Sequence, residues 1–202
     1  MELADWVRRE GHVLSEEFLR VDGFLNHRIA PAFIEAAGSE IRARFVGAGI
    51  TLVLTAEAAG NVVAYEIARG LGARAVYAKK GKATTMARPV VRPLRSPTKG
   101  NPTEIAVSRD YLTADERVLI VDDFLFRGTT SAALAEMVME AGATLVGFAF
   151  IIEKAFAGGR QALSTFAVSV ESLLRVEHMD PESGVIVFSH DREADSGGAA
   201  GR

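Results

Sequence analysis

The densest chemistry in the chain lies in VLIVDDFLFRGTTS at residues 118–131, where the adjacent carboxylates Asp122 and Asp123 close an apolar run and a small, hydroxyl-rich segment follows. Backbone N–H groups around residues 127–130, with the hydroxyls of Thr129, Thr130 and Ser131, can surround a phosphate at the positive end of a helix that starts there. Gly128 lets the backbone come close to such a ligand. Ionised, Asp122 and Asp123 are acceptors only, so they suit the paired hydroxyls of a ribose and favour cationic character at its anomeric carbon. The same letters would also serve as a plain strand–turn–helix joint with solvated acids and Thr129 as a cap. Apolar strand, paired acids, hydroxyl-rich Gly loop and helix occurring in that order favour the phosphate site.

Two further segments could handle anions. Glu57-Ala58-Ala59-Gly60 follows an apolar run and offers backbone amides for a second anion site, or forms an ordinary strand–helix turn. Between residues 79 and 99 the chain carries Lys79, Lys80, Lys82, Arg88, Arg92, Arg95 and Lys99, with no acid before Glu104. A charge run is usually a solvated face, but this one coincides with Pro89, Pro93, Pro97 and Pro102, so a basic flap closing over a polyanionic ligand is expected, with Lys80 and Lys82 best placed to touch it. GLGARA at residues 70–75 formally fits a dinucleotide pattern but ends a helix and precedes a strand, the reverse of the required order. No phosphate loop of the G-x-x-x-x-G-K-[ST] type occurs, and the four histidines lack ligand spacing, so zinc is not expected.

The elements that must position these residues follow from periodicity. Residues 50–55 (ITLVLT), 75–78, 117–121 (RVLIV), 145–152, 168–174 and 185–188 read as strands, and residues 61–71 and 131–141 as helices, the second closing at Gly142. Strands alternating with helices at this spacing imply an α/β fold, a mostly parallel sheet with helices on both faces. Residues 1–48, with Pro31 opening a helical stretch, are expected to form an appended helical hood. Residues 81–103 are expected as a long surface loop or irregular hairpin, and residues 191–202 as an unstructured tail, leaving one domain over residues 1–190. Trp6 belongs to packing.

Composition narrows the class. The 202 residues, 49% hydrophobic and 24% charged, suit one globular core, and a net charge of −3 argues against general nucleic-acid binding. The absence of cysteine removes disulfides, thiolate nucleophiles and sulfur-bound metal. The first ten residues lack the apolar core of a secretory signal and the longest apolar stretch is too short to cross a bilayer, so a cytoplasmic protein is expected.

The run at residues 118–131 closely resembles the phosphoribosyl pyrophosphate (PRPP) signature of type I phosphoribosyltransferases. With VLS at residues 13–15, Leu19, VDGFLNH at 21–27, IIEKAF at 151–156 and Gly159-Arg160, the chain is similar to the bacterial xanthine branch of that family across most of its length up to about residue 189. One departure is Arg127, at a position where the family often has a small residue, which leaves the phosphate contact to its backbone. The resemblance implies the type I fold and transfer of the phosphoribosyl group from PRPP to xanthine or another 6-oxopurine. It further implies PRPP binding by Phe126, Arg127, Gly128, Thr129 and Thr130, base contacts from Leu19, Asn26 and Lys154, Mg2+ carried with PRPP rather than on protein ligands, and a homodimer. An adenine phosphoribosyltransferase is the alternative enzyme. A PRPP-binding, purine-responsive regulator is the alternative of another class, for which some forty-five N-terminal residues are tight for a DNA-binding module.

Overall fold

A computed structural model describes residues 2–81, 84, 86–94 and 103–189. Among these, eight strands form one sheet in the order β10-β9-β8-β7-β3-β4-β6-β5. The strands are β3 (Leu52–Ala56), β4 (Arg74–Lys80), β5 (Pro89–Leu94), β6 (Thr103–Ser108), β7 (Arg117–Leu125), β8 (Thr144–Lys154), β9 (Ser169–Met179) and β10 (Ile186–Phe188). The centre, from β4 through β3, β7 and β8 to β9, is parallel, while β10 and the β5–β6 pair are antiparallel additions at the edges. Strands covered on both faces lose the alternation of a half-exposed sheet. All five residues of β3 are accordingly buried, as are four in succession in β7.

The sheet divides two cores. Strand alternation sends Val53, Leu119, Val121, Ala149 and Ile151 to one face, where α2 (Pro31–Arg44) and α3 (Gly60–Leu71) cover them. It sends Leu52, Leu54, Val118, Ile120, Phe148 and Phe150 to the other, under α4 (Thr129–Glu140) and α5 (Gly159–Leu163). Helix α2 starts at Pro31, whose fixed φ and missing N–H suit a first helical position.

The N-terminal region, called the hood below, consists of α1 (Leu3–Glu10), the hairpin β1 (His12–Val13) with β2 (Leu19–Arg20), and α2. All of it packs on the α2/α3 face. Phe24 and Phe33 are fully buried edge to face at 4.9 Å, and Trp6 meets Phe33 at 5.6 Å, which bears out its packing role. Each such phenylalanine contributes about 1.5–3 kcal/mol through burial.

One expectation requires correction. The strand carrying the acid pair does not end at residue 121; pairing with β8 continues through Asp122↔Phe150, Phe124↔Ile152 and Leu125↔Glu153, so Asp122 and Asp123 lie within β7. Of the two readings of residues 81–103, a loop or a hairpin, the described part is a hairpin: β5 pairs with β6 from Pro89↔Ser108 to Leu94↔Thr103, with Val90 and Leu94 buried in the α4 core. Proline is tolerated there because β5 is the sheet's edge strand. Its cations are also engaged: Arg92 pairs with Glu136 at 3.3 Å and Glu140 at 2.5 Å on α4, and Arg88 pairs with Asp110 at 3.1 Å. Through these partners, 44 and 48 residues downstream, Arg92 clamps β5 to α4. Lys82, Arg95, Pro97, Lys99 and the tail at residues 191–202 lie outside the described residues.

Candidate functional site

A cleft of about 370 Å³ opens at the carboxyl ends of the parallel strands, lined by Lys80, Leu94, Thr103, Asp122 and the continuous segment 124–131. Ligands of open α/β sheets bind at this edge. Its floor is the β7–α4 turn. Gly128 has φ 73°, a left-handed conformation in which a Cβ is strained, and it stands as the N-cap of α4 with no side-chain cap. The first N–H groups of α4 have no intrahelical partners and point, with Thr129, Thr130 and Ser131, at the cleft. Arg127 is exposed, its guanidinium 5.2 Å from the Phe126 ring, so the chain passes the cleft while that side chain turns to its neighbour.

The two acids have different environments because successive residues of a strand face opposite ways. Asp122 borders the cleft, and its Oδ1 accepts the Asp123 N–H at 3.0 Å. Burial, reinforced by the negative charge of Asp123, pushes the Asp122 carboxyl well above the usual carboxylate range, against a smaller pull from Lys80. Asp123 is buried; its Oδ1 accepts the Phe124 N–H at 2.9 Å, and its Oδ2 accepts from Asn26 Nδ2 at 3.2 Å. The acid pair thus links the cleft to the hood.

Lys154 ends β8 and is buried at 9% exposure. Its Nζ donates to the Glu17 carbonyl and lies 5.2 Å from the Phe124 ring, 5.2 Å from Phe126 and 5.5 Å from Phe18. Burial holds its pKa below that of an ordinary lysine, opposed by the charges of Glu17 and Asp123. Neighbouring Glu153 faces the other way and is paired with Arg160. At the cleft's rim Lys80 is exposed, and its backbone N–H donates to Glu57 Oε1 at 2.7 Å.

Of the residues singled out in the sequence, Lys80, Asp122, Phe126, Arg127, Gly128, Thr129 and Thr130 line one cleft. Asn26, Asp123 and Lys154 adjoin it, and Glu57 touches it through Lys80. Leu19 is 6% exposed and packs in the hood core. Sequence reasoning missed Phe18 and Phe124 around Lys154, and Leu94 and Thr103 on the cleft wall. Phe124 and Phe126 were legible as alternating aromatics directly after the acids; Phe18, 136 residues before Lys154, left no such signal. Among the described residues no three His, Asp or Glu side chains gather into a metal site, and no helix is long and apolar enough to cross a membrane.

The phosphoribosyl transferase domain family matches residues 22–174, and the chain belongs to this family. It is 44% identical to the xanthine phosphoribosyltransferase of Heliobacterium modesticaldum over 93% of this chain and 99% of that one. It is 43% identical to the protein of the same name from Brevibacillus brevis, over 90% and 93% of the two chains. Its fold matches the Giardia lamblia adenine phosphoribosyltransferase complexed with 9-deazaadenine at a TM-score of 0.76 and 22% identity, covering 88% of this chain and 99% of that one. The adenine phosphoribosyltransferase of Rhodothermus marinus follows at 0.73 and 24%, covering 86% and 98%. The architecture is the type I phosphoribosyltransferase fold, and the chain is a phosphoribosyltransferase.

Proposed function

We propose that the chain transfers the 5-phosphoribosyl group of PRPP to xanthine, giving xanthosine 5′-monophosphate and pyrophosphate. The observation that carries the choice of base is a buried ammonium, Lys154, beside the phosphate cleft among three aromatic rings. An ammonium offers donors and no acceptor. It therefore suits an oxo group or a partly anionic purine and meets the exocyclic amine of adenine donor to donor.

In this reading the backbone of residues 126–130 and the hydroxyls of Thr129 and Thr130 hold the 5-phosphate, and Asp122 and Asp123 accept from the ribose hydroxyls. Glu57, Lys80 and Lys82 serve the pyrophosphate end. Asn26 reads a second edge of the base, and Leu19 supports its apolar side from the hood. The bond from the anomeric carbon to pyrophosphate breaks, a bond from that carbon to a ring nitrogen of the base forms, and the nitrogen's proton is released. The two carboxylates favour positive charge on the ribose as the leaving group departs, so catalysis is mainly positioning and electrostatics. Mg2+ would arrive on the phosphates of PRPP rather than on protein ligands. It would supply charge neutralisation there.

The protein is further proposed to be a cytoplasmic homodimer with no nucleic-acid partner. Ala75, Tyr77 and Lys79 are exposed although β4 lies inside the sheet, and with Met86 and Tyr111 they line an open groove. A covering second copy would complete that face, and a monomeric mass by light scattering overturns the dimer. For the activity, pyrophosphate release is followed with PRPP, Mg2+ and one base at a time. Xanthine is expected first, other 6-oxopurines weaker and adenine poorest. No turnover with any base, or adenine equal to xanthine, refutes the proposal.

A further inference from the structure

We infer that Arg160 is a positioning residue for the β7–α4 turn, acting through Gly159 on the segment that holds the phosphate. The inference rests on the reading of residues 126–130 as the PRPP loop. Helix α5 lies directly behind that loop. A Cβ at Gly159 would clash with the Phe126 carbonyl oxygen, well inside van der Waals contact distance, and lie 2.8 Å from Leu125 Cδ1, while a Cβ at Gly128 would come 3.0 Å from the Gly159 carbonyl oxygen. The two backbones therefore touch with nothing between them, and the position of α5 sets that of the loop.

What sets the position of α5 is the side chain following Gly159. Arg160 Nε donates to Glu153 Oε1 at 3.0 Å, its Nη2 donates to Glu153 Oε2 at 2.5 Å, and its Nη1 donates to the Val170 carbonyl at 2.5 Å. Glu153 is 2% exposed at the end of β8, and Val170 belongs to β9, so one guanidinium fork pins α5 to two adjacent central strands. Arg175 adds a second cation 3.5 Å from Glu153. Burial works against ionisation of Glu153, but the hydrogen bonds from Arg160 and Ser172 outweigh it and hold the carboxyl below its usual range. Charged at neutral pH, the pair is a fixed bracket. Lys154, the next residue, points to the base side, so β8 fixes both a base contact and, through Arg160, the phosphate loop.

Two variants separate positioning from mere stability. Arg160→Lys keeps the charge and loses the fork. Gly159→Ala leaves the ion pair intact and displaces the loop by direct contact. Both are expected to raise the KM for PRPP at least about tenfold with the KM for xanthine within about twofold, a difference near 1.4 kcal/mol. Both should also speed amide hydrogen exchange at residues 126–131 in the substrate-free protein. If Arg160→Lys fails to fold, Glu153→Gln, which weakens the same pair from its other side, replaces it beside Gly159→Ala. A drop in Tm with unchanged KM for PRPP and unchanged loop exchange overturns the inference. The exchange measurement needs no turnover, so an inactive wild type would sink the functional reading while leaving the bracket separately decidable.

Discussion

Replacing Lys154 by methionine separates the ammonium from its stem. Methionine keeps an unbranched apolar chain among Phe18, Phe124 and Phe126 and removes only the charge and the donors. In the free protein the lysine donates to the Glu17 carbonyl, and burial already lowers its pKa, so the ammonium stays in an unfavourable place for the sake of what it meets there. A hydrogen bond to a charged group contributes about 1.5–3 kcal/mol. Losing it from a bound oxopurine should lower kcat/KM for xanthine about 10- to 150-fold while the KM for PRPP stays within about twofold. The depressed pKa adds a pH signature. Wild-type preference for xanthine should decline with rising pH earlier than an ordinary lysine would allow, and the Lys154→Met profile should be flat in that range. Steady-state kinetics with xanthine, hypoxanthine and adenine from about pH 7 to pH 10 read both effects. Equal losses for adenine and xanthine, or a xanthine kcat/KM within about twofold of wild type, would refute the assignment of Lys154 to base recognition.

Asn at both Asp122 and Asp123 should lower PRPP turnover by orders of magnitude with the fold retained by circular dichroism; near-normal activity refutes the ribose role. Asp122→Asn alone should raise Tm at neutral pH. Its raised folded-state pKa means the native protein binds the extra proton, so stability falls as pH climbs from the ordinary carboxylate range through the raised value, and the variant's Tm-against-pH curve should lose that slope. Lys80→Ala should weaken PRPP and pyrophosphate binding more than base binding, read by separate KM values and product inhibition; a shift confined to the base would reassign it. Glu66, at 8% exposure, is held below its usual pKa chiefly by its hydrogen bond from Arg69, which outweighs burial, with Arg42 adding to it. Its stabilisation should be present above the unfolded pKa and vanish as pH falls through the folded one, and Glu66→Gln should cost about 1–3 kcal/mol in urea unfolding at pH 7.

The central strands and α4 were legible because they rest on local signals: RVLIV has no polar interruption, and a Gly–Thr–Thr start marks a helix entry. The site was legible to the extent that it is contiguous, which covers residues 122–130. What escaped depends on partners far along the chain. The alternation that parts Asp122 from Asp123 becomes readable only once β7 is known to run to Leu125, and that extension is dictated by pairing with β8. Arg92 looked free because Glu136 and Glu140 lie on a later helix, four residues apart and so on one face. Phe18 reaches Lys154 from the hood, and nothing near either residue announces it.

Under the proposed function, the sheet divides the two recognition tasks between its faces. Asn26 and Leu19 belong to the α2/α3 side, whereas the phosphate loop, α4 and α5 belong to the other, and the two cores share only the strands between them. Such a partition makes the fold evolvable. Substitutions that remodel the hood for a different base would meet the packing that holds the phosphate only where Asp123 and Lys154 join the two sides, since sites with no shared neighbours combine nearly additively. A lineage could thus exchange one nucleobase for another many times on an unaltered sugar-phosphate seat, with Asp123 and Lys154 at the seam as the positions where such drift is least free.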